Sequence, residues 1–345
     1  MPGMGERAYA YAKACGIIGK SFIGKRISRL ADVSRLSELD RLVFPQSVRD
    51  LPERELLVDI EERVIQRAVN QITAIVDSFS KPPELLIRLI RTYEYEDLKN
   101  VLGALARGET KAPGFTDIGR FRTVTFEAYP DLESMLAKTE FEFLLTEALQ
   151  QDQNEQPVHK KDAGSIIIQT KLDHHYYASL WKALLRLRKN DRIAIERILS
   201  EEISLRNAVW ALRLRTYYGM SGHGILEKLI SIKTKKSLTA AAEASLSMAL
   251  DHRAEWAGWK WVQFLNPENH QDTWKADPRY FQNAASRYLY SLARFSFRRR
   301  PFSADSIFCF IKLKQFEEDI LTSAAEGLGM GMSSQDIFTL LEVGS

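Results

Sequence analysis

Cysteine is scarce in this sequence: only Cys15 and Cys309 occur among 345 residues, and they lie near opposite ends of the chain. Two isolated thiols cannot supply the dense disulfide framework of small secreted domains. They are typical of proteins that work in a reducing compartment, where cysteines remain free thiols.

Long apolar runs are also missing. The small-residue stretch after Arg7 is interrupted by Lys13 and Lys20, so it lacks the apolar segment of a signal peptide. No window approaches the roughly 18–20 apolar residues that a membrane-spanning helix needs. We therefore expect a protein of the cytoplasm, or one held on the cytoplasmic face of a membrane by a partner.

An excess of one charge is absent as well. The 48 Lys and Arg residues nearly balance the 45 Asp and Glu residues, which leaves a formal net charge of +3 and no overall attraction for nucleic acid. The densest basic cluster is Arg298, Arg299 and Arg300, with phenylalanines on both sides. On a near-neutral chain such a run is more typical of a solvated loop or a partner-facing patch than of a nucleic-acid site. These three arginines are therefore the candidate interface residues.

Strand patterns are rare, whereas helical periodicity is pervasive. The segments Phe121–Tyr129 and Ser165–Thr170 are short and have no nearby hairpin partner, so they predict loops or helix entries. Apolar residues recur at helical spacing in several longer stretches. These are Leu56–Val76, Leu132–Leu149, Leu180–Leu205, Leu226–Leu250 and Ile307–Ala325. The pattern predicts an all-α fold.

Glycine-rich segments divide the chain into thirds. Gly108–Gly114 and Gly219–Gly224 predict the two divisions, while Gln150–Gly164 and Asn266–Pro278 predict further loops. The predicted helical domains are 1–110, 111–222 and 223–345.

The ends of these thirds resemble one another. Asn100, Asn207 and Asp319 occupy similar points of three amphipathic segments and are spaced by 107 and 112 residues. A long-period repeat of this kind favours duplication of one helical bundle. Three such bundles can surround a pseudo-threefold axis and leave a cup or funnel that accommodates a partner rather than a small substrate.

The same segments resemble a known family. The similar sequences are Tyr9-Ala-Tyr-Ala-Lys-Ala, Tyr95-Glu-Asp-Leu-Lys-Asn-Val-Leu102, Leu172-Asp-His-His-Tyr-Tyr177, and Phe310–Ile320 followed by Ala325-Glu-Gly327. Their order and the chain length are similar to those of the socket subunit in the central stalk of V-type and A-type ATPases. Departures from the family signatures occur at Leu102, Ala106, Lys314, Phe316 and Asp319.

The resemblance implies a role without bond chemistry. In that family the socket of the rotary ATPase sits on the cytoplasmic face of the membrane proteolipid ring and receives the tip of the central shaft. It couples ATP turnover to proton or sodium transport by transmitting torque. The resemblance implies no catalytic residue, cofactor, metal, small-molecule substrate or nucleic acid.

A P-loop nucleotide hydrolase is the first alternative, and a helical scaffold of an unrelated assembly is the second. Ala14–Ser21 fits a loose Walker A pattern, in which Lys20 would contact phosphates and Ser21 would bind Mg²⁺, with Asp59 as a second metal ligand. The pattern lacks its first glycine, and a P-loop must follow a buried strand within a parallel sheet. A strand content above about a fifth would favour the hydrolase.

Two further clusters have structural interpretations. The six histidines, including adjacent His174 and His175, show no zinc-ligand spacing. The aromatic segment Trp256–Phe264 predicts core packing, and it would be an interface anchor if it were exposed.

Overall fold

The computed structural model describes residues 3–145, 160–268 and 273–341. In these ranges α-helices are joined by turns and short 3-10 helices, and no residue lies in a β-strand, which confirms the all-α fold. The helices are α1 (Met4–Ile18), α2 (Leu36–Val43), α3 (Glu53–Val76), α4 (Glu84–Ile90), α5 (Thr92–Arg107), α6 (Leu132–Leu136), α7 (Lys160–Leu185), α8 (Lys189–Tyr218), α9 (Gly222–Leu226), α10 (Ala240–Ser245), α11 (Pro278–Arg299), α12 (Ala304–Gly329) and α13 (Ser334–Leu341). Within the described ranges, none of them has a segment long and apolar enough to cross a bilayer.

The chain separates into two compact units. Unit 1 comprises Met1–Leu86 and Leu187–Ser345, and unit 2 comprises Ile87–Arg186. The glycine-rich segment at 108–114 therefore lies inside unit 2, and the segment at 219–224 lies inside unit 1. Neither segment is the boundary between the two units, and the three-domain cup stays a prediction.

Helix α12 forms the centre of unit 1. Its first half, Ile307–Leu313, is buried on every side because α3 and α11 pack along it and α1 and α8 also contact it. A helix segment that is apolar on almost every side must be enclosed by other elements, which explains why this part of the sequence is apolar except for Lys312. The predicted helix Ile307–Ala325 is confirmed, as is Leu56–Val76 within α3.

Other predicted stretches are shorter or broken in the structure. Leu132–Leu149 contains α6, which ends at Leu136 and is followed by turns, and residues 146–149 lie outside the described ranges. Leu180–Leu205 is interrupted between α7 and α8. Leu226–Leu250 is mostly irregular, so the prediction of a long helix there is wrong.

Neither of the two strand-like segments forms a strand: one is a loop and the other is part of a helix. Phe121–Tyr129 forms a loop with short 3-10 turns, as predicted, whereas Ser165–Thr170 lies within α7. The predicted loop Gln150–Gly164 lies outside the described ranges up to residue 159 and is helical from Lys160. In the predicted loop Asn266–Pro278, the described residues are irregular up to Pro278, where α11 begins.

Helix ends match their local sequence. Gly108 after α5 and Gly219 after α8 have φ angles of 73° and 56°, a left-handed conformation that glycine adopts without a Cβ penalty and that closes helix C-termini. At the start of α11 the Asp277 side chain accepts the Arg279 N–H, and Pro278 occupies the first helical position, where no N–H is needed.

The tryptophan-rich segment packs in the interior of unit 1. Trp256, Trp259 and Trp261 are buried beside Phe281 of α11, and the first two rings meet edge-on with centroids 5.0 Å apart. The indole N–H groups of Trp256 and Trp259 donate to the carbonyls of Ala249 and Ala241. The core-packing interpretation of this segment is confirmed.

Candidate functional site

A cluster of charged and polar side chains lies within unit 1, and we call it the ionic centre: the buried Ser21, Lys314 and Glu317, and the partly buried Arg67. Lys314 and Glu317 stand one turn apart on α12, and Arg67 reaches them from α3. Arg67 Nη2 lies 2.7 Å from Glu317 Oε1, and the Lys314 ammonium donates to the other carboxylate oxygen. The Phe22 N–H also donates to Glu317, at 2.8 Å.

The neighbours of each charge set its protonation. Burial would raise the pKa of Glu317, but the positive charges of Lys314 and Arg67 hold it below its ordinary value. Burial lowers the pKa of Lys314, and the adjacent Glu317 opposes that shift. Lys314 and Glu317 are therefore a mutually dependent pair of charges, since each favours the ionised form of the other and both side chains are almost closed to water.

The ionic centre joins four segments of the chain. Lys314 Nζ donates to the Ser21 hydroxyl at 3.2 Å, and Ser21 Oγ donates to the carbonyl of Ile17 at the end of α1. Arg67 also donates to the carbonyl of Val43 at the end of α2. The end of α1, the end of α2, α3 and α12 are thus held at one point.

A second ionic contact lies near the start of α3. Arg63 Nη1 is 2.8 Å from both Asp40 and Asp59, and its Nη2 donates to the carbonyl of Ser47 at 2.7 Å. The Arg49 N–H donates to Asp40, which is fully buried. This contact fixes the loop between α2 and α3.

These contacts contradict the P-loop geometry. The segment before Lys20 is the C-terminal end of α1 and not a strand, so no strand presents a phosphate-binding loop there. Ser21 is buried in the ionic centre, and Asp59 lies on α3 in contact with Arg63. The two residues assigned to Mg²⁺ therefore have structural partners, and Lys20 is exposed just after the end of α1.

The predicted repeat positions have different environments. Asn100 and Asp319 are exposed, whereas Asn207 is fully buried. The Asn207 amide donates to the carbonyls of Ile230 and Leu238 at 2.9 and 3.1 Å, and its Oδ1 accepts the Ile230 N–H. The equivalence of these three positions stays a prediction.

Three buried residues, Asn207 and two others, each accept the same kind of hydrogen bond. Asp97 on α5, Asn207 on α8 and Glu317 on α12 are buried, and each accepts a backbone N–H at 2.8 Å from outside its own helix. The donors are Thr116, Ile230 and Phe22. The three acceptors are spaced by 110 and again by 110 residues. This regular spacing supports a duplication. In the first copy the acceptor, Asp97, lies three residues before Asn100, and in the third copy Glu317 lies two residues before Asp319.

In unit 2 a second buried carboxylate beside Asp97 also accepts backbone N–H groups. Glu94 and Asp97 stand one turn apart on α5; Glu94 accepts the N–H groups of Thr123 and Val124, and Asp97 accepts that of Thr116. Burial raises the pKa of Asp97 to about 7. The loop after α5 is therefore attached to the helix through two acidic side chains.

The candidate interface arginines divide into two groups. Arg298 and Arg299 are exposed in the last turn of α11. Arg300 instead donates to the carbonyl of Asn190 at 2.9 Å and lies 3.8 Å from both Asp191 and Asp305. Arg300 thus connects the starts of α8 and α12, whereas a partner-binding role for the triplet stays a prediction.

Histidines and cysteines have no catalytic arrangement in the described ranges. His175 Nδ1 lies 2.7 Å from the Tyr95 hydroxyl, and burial lowers the pKa of His175. Cys15 is an exposed free thiol, while burial raises the pKa of the Cys309 thiol. Among the residues that the structure describes, no three His, Cys, Asp or Glu side chains are grouped so that they could hold a metal.

Sequence reasoning missed the ionic centre. Lys314 was visible only as a departure from the family signature, although a lysine and a glutamate inside the long apolar pattern of α12 are themselves a signal. A buried charge needs a partner, so such residues indicate an internal ion pair. The sequence offered no means of identifying Arg67 as its second cation, since 250 residues separate Arg67 from Glu317.

Comparison with known proteins adds two similarities. The family model described as ATP synthase (C/AC39) subunit matches residues 47–339. An uncharacterized protein of Treponema pallidum (strain Nichols) is 26% identical over 332 residues, which cover 94% of this chain and 92% of that protein. The family match includes α3 and α12, and hence both helices that carry the ionic centre.

Proposed function

Since this chain belongs to the ATP synthase (C/AC39) subunit family, we propose that it is a non-catalytic central-stalk component of a V/A-type rotary ATPase. The observation that carries the proposal is the family match, which extends through most of the chain and through parts of both units. In this role the chain couples the central shaft to the membrane proteolipid ring. It works at the cytoplasmic face of the membrane, held there by the complex.

The packing of unit 1 suits such a coupling element. A part that transmits torque must resist bending, and long helices packed along one another supply that stiffness. The ionic centre adds a directional constraint, because the 2.7 Å contact between Arg67 on α3 and Glu317 on α12 tolerates little relative sliding of these two helices. Both features support a mechanical role rather than a catalytic one.

Affinity capture from native membranes tests the proposed partners. The tagged chain is recovered from detergent-solubilised membranes, washed with high salt, and its companions are identified by mass spectrometry. We expect shaft subunits and the proteolipid of the ring to be recovered together, and an untagged strain serves as the control. Recovery of neither would contradict the proposal.

A coupling assay tests the role itself. Membranes that lack this chain are expected to lose ATP-driven ion uptake, and re-addition of the purified chain is expected to restore it. Nucleotide binding by the purified chain is measured in parallel with the Lys20→Ala variant. Tight binding that disappears in this variant would favour the hydrolase, in conflict with the coupling role.

A further inference from the structure

The last turns of α11 present a surface that is both basic and aromatic. Arg294, Phe295, Arg298 and Arg299 are exposed there, and Phe302 follows in the short loop before α12. We call these five residues the α11 surface. They lie close together because residues four apart, such as Arg294 and Arg298, share one side of a helix.

The helix end that carries this surface is fixed. Phe297 is buried, and its ring lies 5.2 Å from that of Tyr11 on α1. The Tyr11 ring also meets Phe302 edge-on, with centroids 5.5 Å apart. The end of α11 that carries the exposed residues is therefore fixed against α1.

Its arginines are available to an outside anion. Across the part of the chain that the structure describes, Arg294, Arg298 and Arg299 form no ion pair, in contrast to Arg300 with its internal acceptors. Arg299 lies over the Phe295 ring at 5.7 Å. Favourable interaction with the helix dipole accounts for basic residues in a last turn, but it gives no reason for a phenylalanine that is 63% exposed among them.

Phe302 is a second exposed aromatic residue, and its backbone has an unfavourable conformation. Its φ angle is 64°, in the left-handed region that a bulky residue rarely adopts. The side chain contacts Tyr11 and nevertheless remains 39% exposed. Unfavourable backbone conformations of this kind concentrate where a side chain must be presented in a particular place.

We propose that the α11 surface binds the anionic headgroups of a phospholipid bilayer, with Phe295 and Phe302 entering the boundary between headgroups and acyl chains. Three unpaired guanidinium groups complement lipid phosphates and carboxylates. A bilayer offers that negative charge and an apolar layer at one place, and it receives protruding aromatic rings without a preformed pocket. An acidic protein segment would match the arginines alone, and for that reason the lipid surface is favoured.

Vesicle sedimentation with the purified full chain tests this surface. The probes are vesicles of phosphatidylcholine with and without about one-third phosphatidylserine. The first variant is Arg294→Gln/Arg298→Gln/Arg299→Gln. The matched control, Lys25→Gln/Arg29→Gln/Arg35→Gln, removes the same charge from three exposed residues of unit 1. A third variant, Phe295→Ala, separates ring insertion from charge.

We expect binding to the phosphatidylserine vesicles alone, weakened about 100-fold in the α11 variant, because each basic residue near an anionic membrane contributes roughly a five-fold factor. The control variant should keep the wild-type affinity to within a few-fold. Phe295→Ala should lose the fraction of binding that survives high salt, since screening weakens only the electrostatic part.

Three results would overturn the proposal: no binding of the wild-type chain, equal losses in both triple variants, or arginine-dependent binding of polyglutamate in the absence of vesicle binding. The last result would assign the surface to an acidic protein. Because purified vesicles contain no ATPase components, the outcome is independent of the affinity capture and coupling assays described above.

Discussion

Glu317 accepts hydrogen bonds from an arginine, a lysine and a backbone N–H, and its side chain is almost closed to water. Such a residue determines stability differently from an apolar core residue. Removing it leaves Lys314 buried with its charge uncompensated, and that penalty exceeds the value of the lost ion pair itself.

Replacing Glu317 by Ala should therefore lower the free energy of unfolding by about 3–5 kcal/mol. The double variant Lys314→Met/Glu317→Leu should recover part of that loss, because it removes the buried ammonium together with its carboxylate, while Arg67 keeps the Val43 carbonyl as an acceptor. Urea unfolding measures both changes, with the exposed Glu62→Gln as the control. A loss below about 1 kcal/mol for Glu317→Ala would show that water enters the ionic centre.

Asp97 predicts a pH dependence of stability. Its pKa in the folded chain is about 7, above the ordinary value of 3.8, so ionisation is harder in the folded than in the unfolded chain. The contribution of Asp97 to stability is therefore full below about pH 4 and declines as the pH rises to about 7. The direction is opposite to that of a carboxylate held ionised by a cation.

The isosteric variant Asp97→Asn removes this titration. We expect it to match the wild-type chain near pH 4 and to be more stable at pH 8, provided that the amide oxygen still accepts the Thr116 N–H. Thermal unfolding over that pH range measures the difference, and Glu133→Gln on the surface of unit 2 is the control. An equal offset at all pH values would mean that Asp97 is ionised normally.

At the scale of elements, close helix packing depends on two glycines near the end of α12. A Cβ atom at Gly327 would lie 2.9 Å from Ile337 Cγ1 of α13, and one at Gly329 would lie 2.9 Å from Leu57 Cδ2 of α3. Both distances are shorter than real Cβ contacts allow. The glycines thus permit α13 and α3 to approach α12.

Gly327→Leu should destabilise the chain by about 1–3 kcal/mol through overpacking, despite the higher helix propensity of leucine. Ile337→Ala combined with it should return part of that loss, which a double-mutant cycle in urea measures. Gly16→Ala in α1 is a matched comparison, since open space surrounds that position and a gain of about 1 kcal/mol is expected from propensity alone. Full additivity of the two changes at 327 and 337 would contradict the proposed contact.

The sequence predicted long amphipathic helices better than the segments that wrap them. Leu56–Val76 and Ile307–Ala325 follow one helical period throughout, and both are helices. Leu226–Leu250 has enough apolar residues for a helix. The buried Asn207, however, accepts the N–H of Ile230 and donates to two carbonyls of that segment. A distant side chain thus satisfies backbone groups that a helix would otherwise pair, and no local pattern contains that information.

The candidate sites were predictable to a similar extent. The exposed basic run at Arg298 and Arg299 was recognisable from composition, whereas the internal role of Arg300 depends on acceptors about 110 residues earlier in the chain. The Walker-like segment shows the reverse case. Its residue types fitted a nucleotide site, but the helix that precedes it excludes the required loop.

At the scale of the whole molecule, the chain contains two compact units, and both have buried side chains that accept backbone N–H groups. Asp97 serves unit 2, and Asn207 serves unit 1. Substitutions at these positions share no partner, so their effects on stability should be independent.

Hydrogen exchange resolved by peptide tests that independence. Asn207→Ala should raise exchange around residues 228–240 of unit 1, whereas Asp97→Ala should raise it around residues 114–118 of unit 2, because each variant releases the N–H groups that its side chain held. The double variant should show both changes without amplification. Spread of either change into the other unit would indicate a single cooperative structure.

The contrast between the two cysteines has a practical consequence for single-molecule work. Cys15 is exposed on α1, whereas Cys309 is enclosed in the core and its thiol pKa is raised, so a maleimide reagent should modify one position of the folded chain. The natural sequence thus carries its own attachment point for a fluorophore or a bead. Any rotation of this chain within a larger assembly can be followed from that point without first building a cysteine-free background.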